Sequence, residues 1–471
     1  MSNVELNQGS PGMLMSETIV AISTAPGEGA IGIVRISGDD AHIIGKKIFK
    51  LGKNNGIENR KMHYGHIVNK KGEIIDEVLC LFLKGPSTYT CEDMVEIHCH
   101  GSIVAQRKIL EETLQAGAVL AEPGEFTKRA FFHGRLDLSQ AEAVIDMIKA
   151  DTDNNFEIAL SQMEGSLSEY IKKIREKILA VLAKLMVNID FPDEDIEEES
   201  YENLEKEIKA ILEVIENLAD TAFVGKIYKE GIRIAIVGKP NVGKSSLLNI
   251  LLGENRAIVT EIAGTTRDTI SEKIQIGHIP ALITDTAGMR VAADEIEKIG
   301  IDRSKESFNI SDIKLLILDG SKELEKEDLE LLEKINKHKK SSLAVINKMD
   351  KKPVLNKGDM ENRWDELKFI ETSIVERTGI KELKDTIEDM VLKGRVSVKN
   401  RHIITNSRHK EMLLCAVEAM KRSISAIEMK EPFEIIELDI KDAYENLGKI
   451  LGESISEEIV DEVFSKFCLG K

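Results

Sequence analysis

The sequence predicts a multidomain α/β protein. An N-terminal α+β domain comes first, followed by an all-helical domain into which a doubly wound, mainly parallel α/β domain is inserted. Three observations predict this. A chain of 471 residues suits about three domains. Between Gly231 and Leu392, short apolar runs alternate with helical periods, the pattern of a parallel sheet covered on both faces. Long helical periods flank that stretch on both sides, so the flanks read as two halves of one helical domain.

Each element follows from its own residues. Thr18 to Ile22 is the first fold-like pattern, and residues 1–16 are expected to be a loose tail. Ala30 to Ile36 (AIGIVRI) and Val78 to Leu83 (VLCLFL) are apolar runs bounded by glycine, as buried strands are. Met94 to His100 alternates apolar with polar, as a half-buried strand does. Ser102 to Gln115 carries a helical period, and Pro123-Gly124 marks a turn. Ser139 to Met186 is helical through Ala141, Val144, Ile145, Ile148, Ile158, Leu160, Met163 and Leu167. Phe191-Pro192 ends it, and the acidic run Asp193 to Glu199 follows. A further helix spans Tyr201 to Tyr228. Strands are then expected at 232–237, 281–285, 313–318 and 342–347, with a helix from Gly379 to Leu392. The implied domains are 17–135, 136–229 (helical, first half), 230–393 (inserted) and 394–471 (helical, second half).

Composition narrows the function. Apolar residues make up 42% and charged residues 31%, enough apolar surface for sizeable cores. The net charge of −18 excludes a protein that binds nucleic acid over its whole surface, so any such contact needs a local basic patch. Aromatic residues are only 4%, too few for single-strand stacking platforms. Cys80, Cys91, Cys99, Cys415 and Cys468 are scattered, with no C-x-x-C pair, which points to a reducing compartment. There is no apolar run of membrane-spanning length and no signal peptide pattern at the start, so a cytoplasmic protein without a membrane partner is expected.

The chemistry is concentrated in the inserted domain. Gly238-Lys239-Pro240-Asn241-Val242-Gly243-Lys244-Ser245 fits G-x-x-x-x-G-K-S and lies between an apolar strand and a helix. Glycines there let successive N–H groups turn toward phosphates. Lys244 reaches the β and γ oxygens, and the Ser245 hydroxyl suits Mg²⁺. Asp285-Thr286-Ala287-Gly288 closes one strand: its carboxylate can hold Mg²⁺ through water, and the Gly288 N–H can reach the γ-phosphate. Asn347-Lys348-Met349-Asp350 closes another, and N-K-x-D there reads guanine through the acceptor oxygens of Asp350. Gly264-Thr265-Thr266-Arg267-Asp268 lies between and supplies Thr266 as a second Mg²⁺ hydroxyl. Thr372-Ser373-Ile374 is the expected last base-contacting loop and departs from the usual Ser-Ala-Lys. Together these motifs describe a Ras-like P-loop GTPase domain. Met289 stands where small signalling GTPases place a water-orienting Gln, so Asp294, Glu295 and Glu297 become candidates. Charge built up in hydrolysis calls for Arg267, Arg290 or a monovalent cation held by Asn241.

These segments closely resemble the MnmE (TrmE) family of tRNA uridine-34 modification GTPases. G-K-P-N-V-G-K-S-S-L, I-A-G-T-T-R-D and D-T-A-G-M-R carry the resemblance, with Phe467-Cys468-Leu469-Gly470-Lys471 as the last five residues. It extends to Gly32-Ile33-Val34-Arg35-Ile36-Ser37-Gly38, Pro123-Gly124-Glu125-Phe126-Thr127, Arg135-Leu136-Asp137-Leu138 and Asp190-Phe191-Pro192-Asp193-Glu194, covering the chain from about Thr18 onward. The stretch before Met15 has no counterpart in the family's pattern; an upstream start or an added segment accounts for it, with Met15 the expected natural start.

The resemblance implies a potassium-dependent GTPase that works as a homodimer with the flavoprotein MnmG, in a heterotetramer or larger complex. Together they add a carboxymethylaminomethyl or aminomethyl group to C5 of the wobble uridine of certain tRNAs. The one-carbon unit comes from 5-formyl- or methylene-tetrahydrofolate bound in the N-terminal domain, which also dimerises. GTP contacts carry over to Asn241, Val242, Gly243, Lys244, Ser245, Ser246, Thr260, Glu261, Ile262, Ala263, Gly264, Thr265, Thr266, Asp285, Thr286, Ala287, Gly288, Asn347, Lys348, Met349 and Asp350. Ser245 and Thr266 take the Mg²⁺ roles. Asn241, Thr260, Ile262 and Thr265 take the K⁺ roles, moving charge compensation away from Arg267. Glu297 becomes the water-orienting carboxylate, with Lys244 the catalytic cation. Folate binding falls to Arg35, Glu96, Arg135 and Lys471, Arg135 standing where a known family member has Lys. A folate tail carries carboxylates suited to Arg and Lys, and its pterin edge offers donors to Glu96.

Other features read as ordinary. Cys468 has no base tied to it by spacing and is expected to be semi-buried. His98 and His100 face one side of a strand and Cys99 the other, which speaks against zinc. Lys393 to Lys410 is the one basic stretch, either tRNA contact or linker. The alternative reading of the whole is a non-enzymatic switch or ribosome-assembly GTPase, which would bind no folate.

Overall fold

The computed structural model describes residues 17–52, 56–190, 201–254, 271–285, 308, 310–392 and 402–471. Their packing divides into two units, residues up to 145 with 448–471, and residues 146–447.

The first unit opens with β1 (Ile19–Ile22), β2 (Gly29–Ser37), α1 (Ala41–Ile48), β3 (Phe49–Leu51), β4 (Met62–Val68), β5 (Ile74–Leu83) and β6 (Met94–Gly101). It continues with α2 (Ile103–Ala116), β7 (Val119–Leu120), α3 (Glu125–Phe132) and α4 (Leu138–Ile148). The strands form one seven-stranded sheet, ordered β3-β4-β5-β6-β2-β1-β7. All neighbours are antiparallel except β1 and β7. Side-chain alternation assigns the two faces. Val34, Ile36, Val78, Cys80, Phe82, Val95, Ile97 and Cys99 meet Ile44 and Ile48 of α1 and Ile109 of α2 in one core. Each such burial contributes about 1.5–3 kcal/mol. Arg35, Glu96 and His98 fall on the opposite face, and the register sets Arg35 against Glu96.

The second unit holds α5 (Asp153–Met163), α6 (Ser166–Asp190), α7 (Tyr201–Glu230), β8 (Ile232–Val237), α8 (Lys244–Glu254), β9 (Ser271–Ile276) and β10 (Ile279–Asp285). After these come β11 (Ile313–Asp319), α9 (Lys326–Asn336), β12 (Ser342–Asn347), α10 (Lys357–Arg363), β13 (Lys368–Glu371), α11 (Ile380–Leu392), α12 (Ser407–Glu428) and α13 (Phe433–Leu451). Its sheet runs β13-β12-β11-β8-β10-β9, parallel except for β9. One face packs on Tyr228 of α7, Leu247 of α8 and Leu383 of α11, the other on Leu332 of α9 and Trp364. Burial on both faces explains why these strands read as continuous apolar runs.

The long helical period of 139–186 is three helices. Thr152 interrupts it by capping α5, its side chain accepting from the Asn155 N–H at 3.3 Å. An inserted domain must leave and re-enter its host at one place. Ile404 N–H donates to Thr221 Oγ1 of α7 at 3.1 Å, and Gln162 Nε2 donates to the Ile403 carbonyl at 2.7 Å. The returning chain therefore lies along the helix from which it left.

The chain ends in α14 (Glu457–Ser465) and a terminal turn, which pack in the first unit. The sequence reading grouped all of 394–471 with the helical domain, whereas packing cuts the chain inside α4 and α13. The reason is aromatic: Phe464 lies 6.2 Å from Phe131 of α3 and 5.2 Å from Phe467, between ring centres. Lys128 of α3 pairs with Asp461 at 2.6 Å.

Candidate functional site

In the second unit β8 lies between β10 and β11, so chain connections run off to opposite sides of it. The crevice beyond its C-terminal end is the expected ligand position of such a sheet. The loop 238–244 fills that position. Asn241 has φ 65° and Gly243 has φ 110°, left-handed turns that face backbone N–H groups inward. A Cβ on Gly243 would also strike Asn347 Nδ2. Lys244 is buried, and its Nζ donates to the carbonyls of Gly238 and Lys239, both at 2.6 Å. A buried ammonium in a nest of backbone N–H groups fits the phosphates of a nucleotide. Ser245 and Ser246 follow it in the first turn of α8.

The loop at 347–350 is fastened to this cradle. Asn347 Nδ2 donates to the Val242 carbonyl at 2.8 Å, and Lys348 Nζ donates to the Asn241 carbonyl at 2.7 Å. Lys348 also pairs with Asp319 at the end of β11, at 2.6 Å. Burial pushes the Asp319 carboxyl up, but hydrogen bonds from Lys348 and Ser321 outweigh it and hold the group below the usual range. Thr372 and Ser373 meet the same loop: Thr372 Oγ1 donates to Asn347 Oδ1 at 3.3 Å, and Ser373 Oγ donates to Asp350 Oδ1 at 2.7 Å. Asp285 ends β10. Thr260 to Asp268, Thr286 to Gly288, Met289, Arg290, Asp294, Glu295 and Glu297 lie outside the described residues, as do the N-terminal tail, the acidic run and Lys393 to Arg401.

In the first unit the four residues proposed for folate converge. Arg35 Nε and Nη2 both lie 2.9 Å from Glu96 Oε1. Arg35 stands 5.7 Å from the Tyr89 ring centre, and Arg135 stands 4.7 Å from it on its own account. Arg135 Nη1 donates to the Tyr89 carbonyl at 3.0 Å. The terminal turn joins them: Arg35 Nη1 reaches the Gly470 carbonyl at 3.4 Å, and Ser23 Oγ donates to it at 3.1 Å. Gly470 has φ 84°, and a Cβ there would strike the Ile22 carbonyl, so only glycine admits this approach. Burial holds the Lys471 ammonium below its ordinary range, with the Arg35 guanidinium adding to the effect. Two guanidiniums and an ammonium around one aromatic ring and one carboxylate suit a ligand with an anionic tail and a donor-bearing ring.

Several sequence expectations meet their geometry here. Cys468 is exposed, not semi-buried. Cys99 faces the core, where burial pushes its thiol up to about 11 and its Sγ donates to the Gly32 carbonyl. His100 pairs with Asp76 at 2.7 Å on the other face, which raises its pKa. Among the described residues no group of three or more His, Cys, Asp or Glu side chains is arranged to hold a metal, and no helix is long and apolar enough to cross a membrane. Sequence reasoning missed Tyr89, Asp319 and His98. Asp319 had a signal, an acid closing the apolar strand IKLLILD. Tyr89 had none, because its partners are far away in the sequence, and His98 was weighed only as a metal ligand.

Comparison with known proteins covers nearly the whole chain. Residues 18–135 match the model "GTP-binding protein TrmE N-terminus", and residues 138–468 match "MnmE helical domain". The chain is 47% identical over 463 residues to the tRNA modification GTPase MnmE of Alkaliphilus oremlandii, covering 98% of this chain and 100% of that one. It is 47% identical over 462 residues to the protein of the same description in Clostridioides difficile, with the same coverage. Among solved structures, Aquifex aeolicus Era bound to GDP·AlF4− is 28% identical over 40% of this chain and 67% of that one. Its TM-score is 0.29, below the level at which a shared fold follows.

Proposed function

The chain belongs to the MnmE family of tRNA modification GTPases, and from that premise we propose that it is a potassium-dependent GTP hydrolase that modifies C5 of the wobble uridine with a tetrahydrofolate one-carbon unit. The convergence of Arg35, Glu96, Arg135 and Lys471 in one unit carries the folate part of the reading. The matched ranges support an N-terminal folate and dimerisation domain at 17–135 and a helical domain, 136–229 with 394–471, interrupted by a GTPase domain at 230–393.

Each group has a task in this reading. Backbone N–H groups of residues 241–246 and the Lys244 ammonium hold the β- and γ-phosphates, lowering the cost of the charge that builds between them. Asp350 accepts from the guanine N1–H and amine while Asn347 and Lys348 brace the loop. Ser245 and Thr266 would hold Mg²⁺, and Asn241 with Thr260, Ile262 and Thr265 would hold K⁺; these cations would supply positive charge to the phosphoryl transfer. Glu297 orients the attacking water. The Gly288 N–H donates to the γ-phosphate. Arg135 and Lys471 hold the folate carboxylates, and Arg35 fixes Glu96, which accepts from the pterin edge. The protein works in the cytoplasm as a homodimer with the flavoprotein MnmG and contacts tRNA through the basic stretch 393–410.

The rival reading, a switch or ribosome-assembly GTPase, needs no folate. Calorimetric titration of the full chain with 5-formyltetrahydrofolate separates the two. Saturable one-to-one binding per chain, lost in Arg35→Ala, is the expected result; absence of binding would favour the rival.

A further inference from the structure

The outer face of the N-terminal sheet holds one polar atom that the assignments above leave unused. His98 Nε2 is shut off from solvent and makes no hydrogen bond. It lies 3.7 Å from Glu96 Oε2, too far for one. The period of two along β6 sets Glu96 and His98 side by side on the same face. Across the strands, the register places Ile33 of β2 and Leu79 of β5 beside His98, and neither side chain offers an acceptor. Arg35 spends both of its short contacts on Glu96 Oε1, so Oε2 keeps acceptor capacity next to the imidazole.

The tautomer follows from this neighbour. A ring-nitrogen lone pair aimed at a carboxylate is repelled, while an N–H is attracted, so the proton sits on Nε2. The result is a buried donor beside an available acceptor, two atoms of opposite hydrogen-bonding sense at one edge of the site. Buried donors without acceptors are rare in native proteins, and a ligand acceptor would complete this one.

We propose that His98 is a second reader of the pterin ring, its Nε2–H donating to the 4-oxo oxygen while Glu96 accepts from the adjacent N3–H and 2-amino group. The inference rests on the folate reading and deepens it. The amino-pyrimidinone edge presents donor, donor and acceptor in a row, and Glu96 followed by His98 presents the complement. His98 then adds to the site's preference for 4-oxo pterins over 4-amino ones: a 4-amino group meets the imidazole N–H donor to donor, while the ring N3, now without its hydrogen, meets the Glu96 carboxylate acceptor to acceptor.

The test is a pair of titrations on the full chain, one with 5-formyltetrahydrofolate and one with its 4-amino-4-deoxy analogue. The unsubstituted protein should prefer the oxo ligand by about tenfold or more. His98→Leu should narrow that preference, weakening the oxo ligand and relieving the clash with the amino ligand, and leave only the part set by Glu96. His98→Gln, whose amide can donate to the 4-oxo oxygen or turn to accept from a 4-amino group, should keep the oxo ligand's affinity while narrowing the preference. If the leucine variant does not fold, His98→Asn, polar but too short, must narrow the preference in its place. A preference unchanged in His98→Leu, or an equal weakening of both ligands, overturns the proposal while leaving folate binding intact. An unsubstituted protein that binds neither ligand overturns the folate reading and this inference with it.

Discussion

Asn241 shows how one side chain can be placed by backbone geometry before its chemistry is considered. Its φ of 65° suits asparagine better than most residues, which is a structural reason for its presence. Its carbonyl is taken by Lys348 at 2.7 Å, so the loop is braced at the point where a side-chain oxygen would meet a cation. GTP turnover should therefore be much faster in KCl than in NaCl at equal ionic strength, and Asn241→Ala should erase the difference while keeping the loop. Steady-state phosphate release in the two salts measures this. Equal rates in the unsubstituted protein would return charge compensation to Arg267 or Arg290.

The same scale shows why the nucleotide site was legible in the sequence and the proposed folate site was not. Phosphate binding needs a strand, a loop and a helix in succession, so 238–245 announces itself as a contiguous motif. The guanine loop is equally compact. Arg35, Glu96, Arg135 and Lys471 come from four distant segments and meet only through sheet register and a docked terminus. Their side chains, taken singly, look like strand-edge charges, and a family resemblance was needed to single them out. Tyr89 had neither a motif nor a resemblance to mark it.

Among the elements, the two sheets differ in how they were read. The parallel strands of the second unit are buried on both faces and stand out as apolar runs. β4 and β9 are lost to inspection, because β4 alternates weakly through Met62, Tyr64 and His66 and β9 is an edge strand carrying Glu272, Lys273 and Gln275. The helix α14 is the instructive case, since it is helical as expected yet packs with the N-terminal unit, Phe464 lying against Phe131 of α3. The terminal turn is held there by Gly470, whose carbonyl serves Ser23 and Arg35. Deleting Cys468 to Lys471 removes these contacts and the Lys471 cation. Folate affinity should fall by at least about tenfold, the loss of one charged hydrogen-bonding partner, and GTP affinity should stay unchanged. Paired titrations with the two ligands check it; intact folate binding in the truncated chain would remove Lys471 from the site.

The depressed Lys471 pKa adds a pH signature to that element. Burial and the Arg35 guanidinium disfavour its charged form. Between the depressed value and the ordinary lysine value of about 10.4, the unfolded chain holds more protons than the folded one. Stability of the first unit therefore rises with pH across that window. An anionic ligand reverses the balance, since it favours the ammonium and takes up a proton on binding. Folate affinity should fall as pH rises through the same window, and the fall should be absent in Lys471→Gln. Titrations across that range decide it, and a pH-independent affinity in the unsubstituted chain would contradict the charge assignment.

At the scale of the whole molecule, two units carry two chemistries. The described part of the nucleotide cradle lies within residues 146–447, and the cluster around Tyr89 lies within the unit formed by both chain ends. The charge of −18 leaves tRNA to meet a local basic stretch, not the general surface. A GTPase with a second, anion-reading site is what a tRNA-modifying enzyme that consumes a folate one-carbon unit requires. The central claim is that both sites serve one reaction on the wobble uridine. Nucleoside analysis of tRNA from cells lacking this chain tests it most directly. The account predicts loss of 5-carboxymethylaminomethyl and 5-aminomethyl uridine derivatives, restored by the full chain but not by one ending at Phe467. Unchanged wobble-uridine modification in cells without the chain would contradict it.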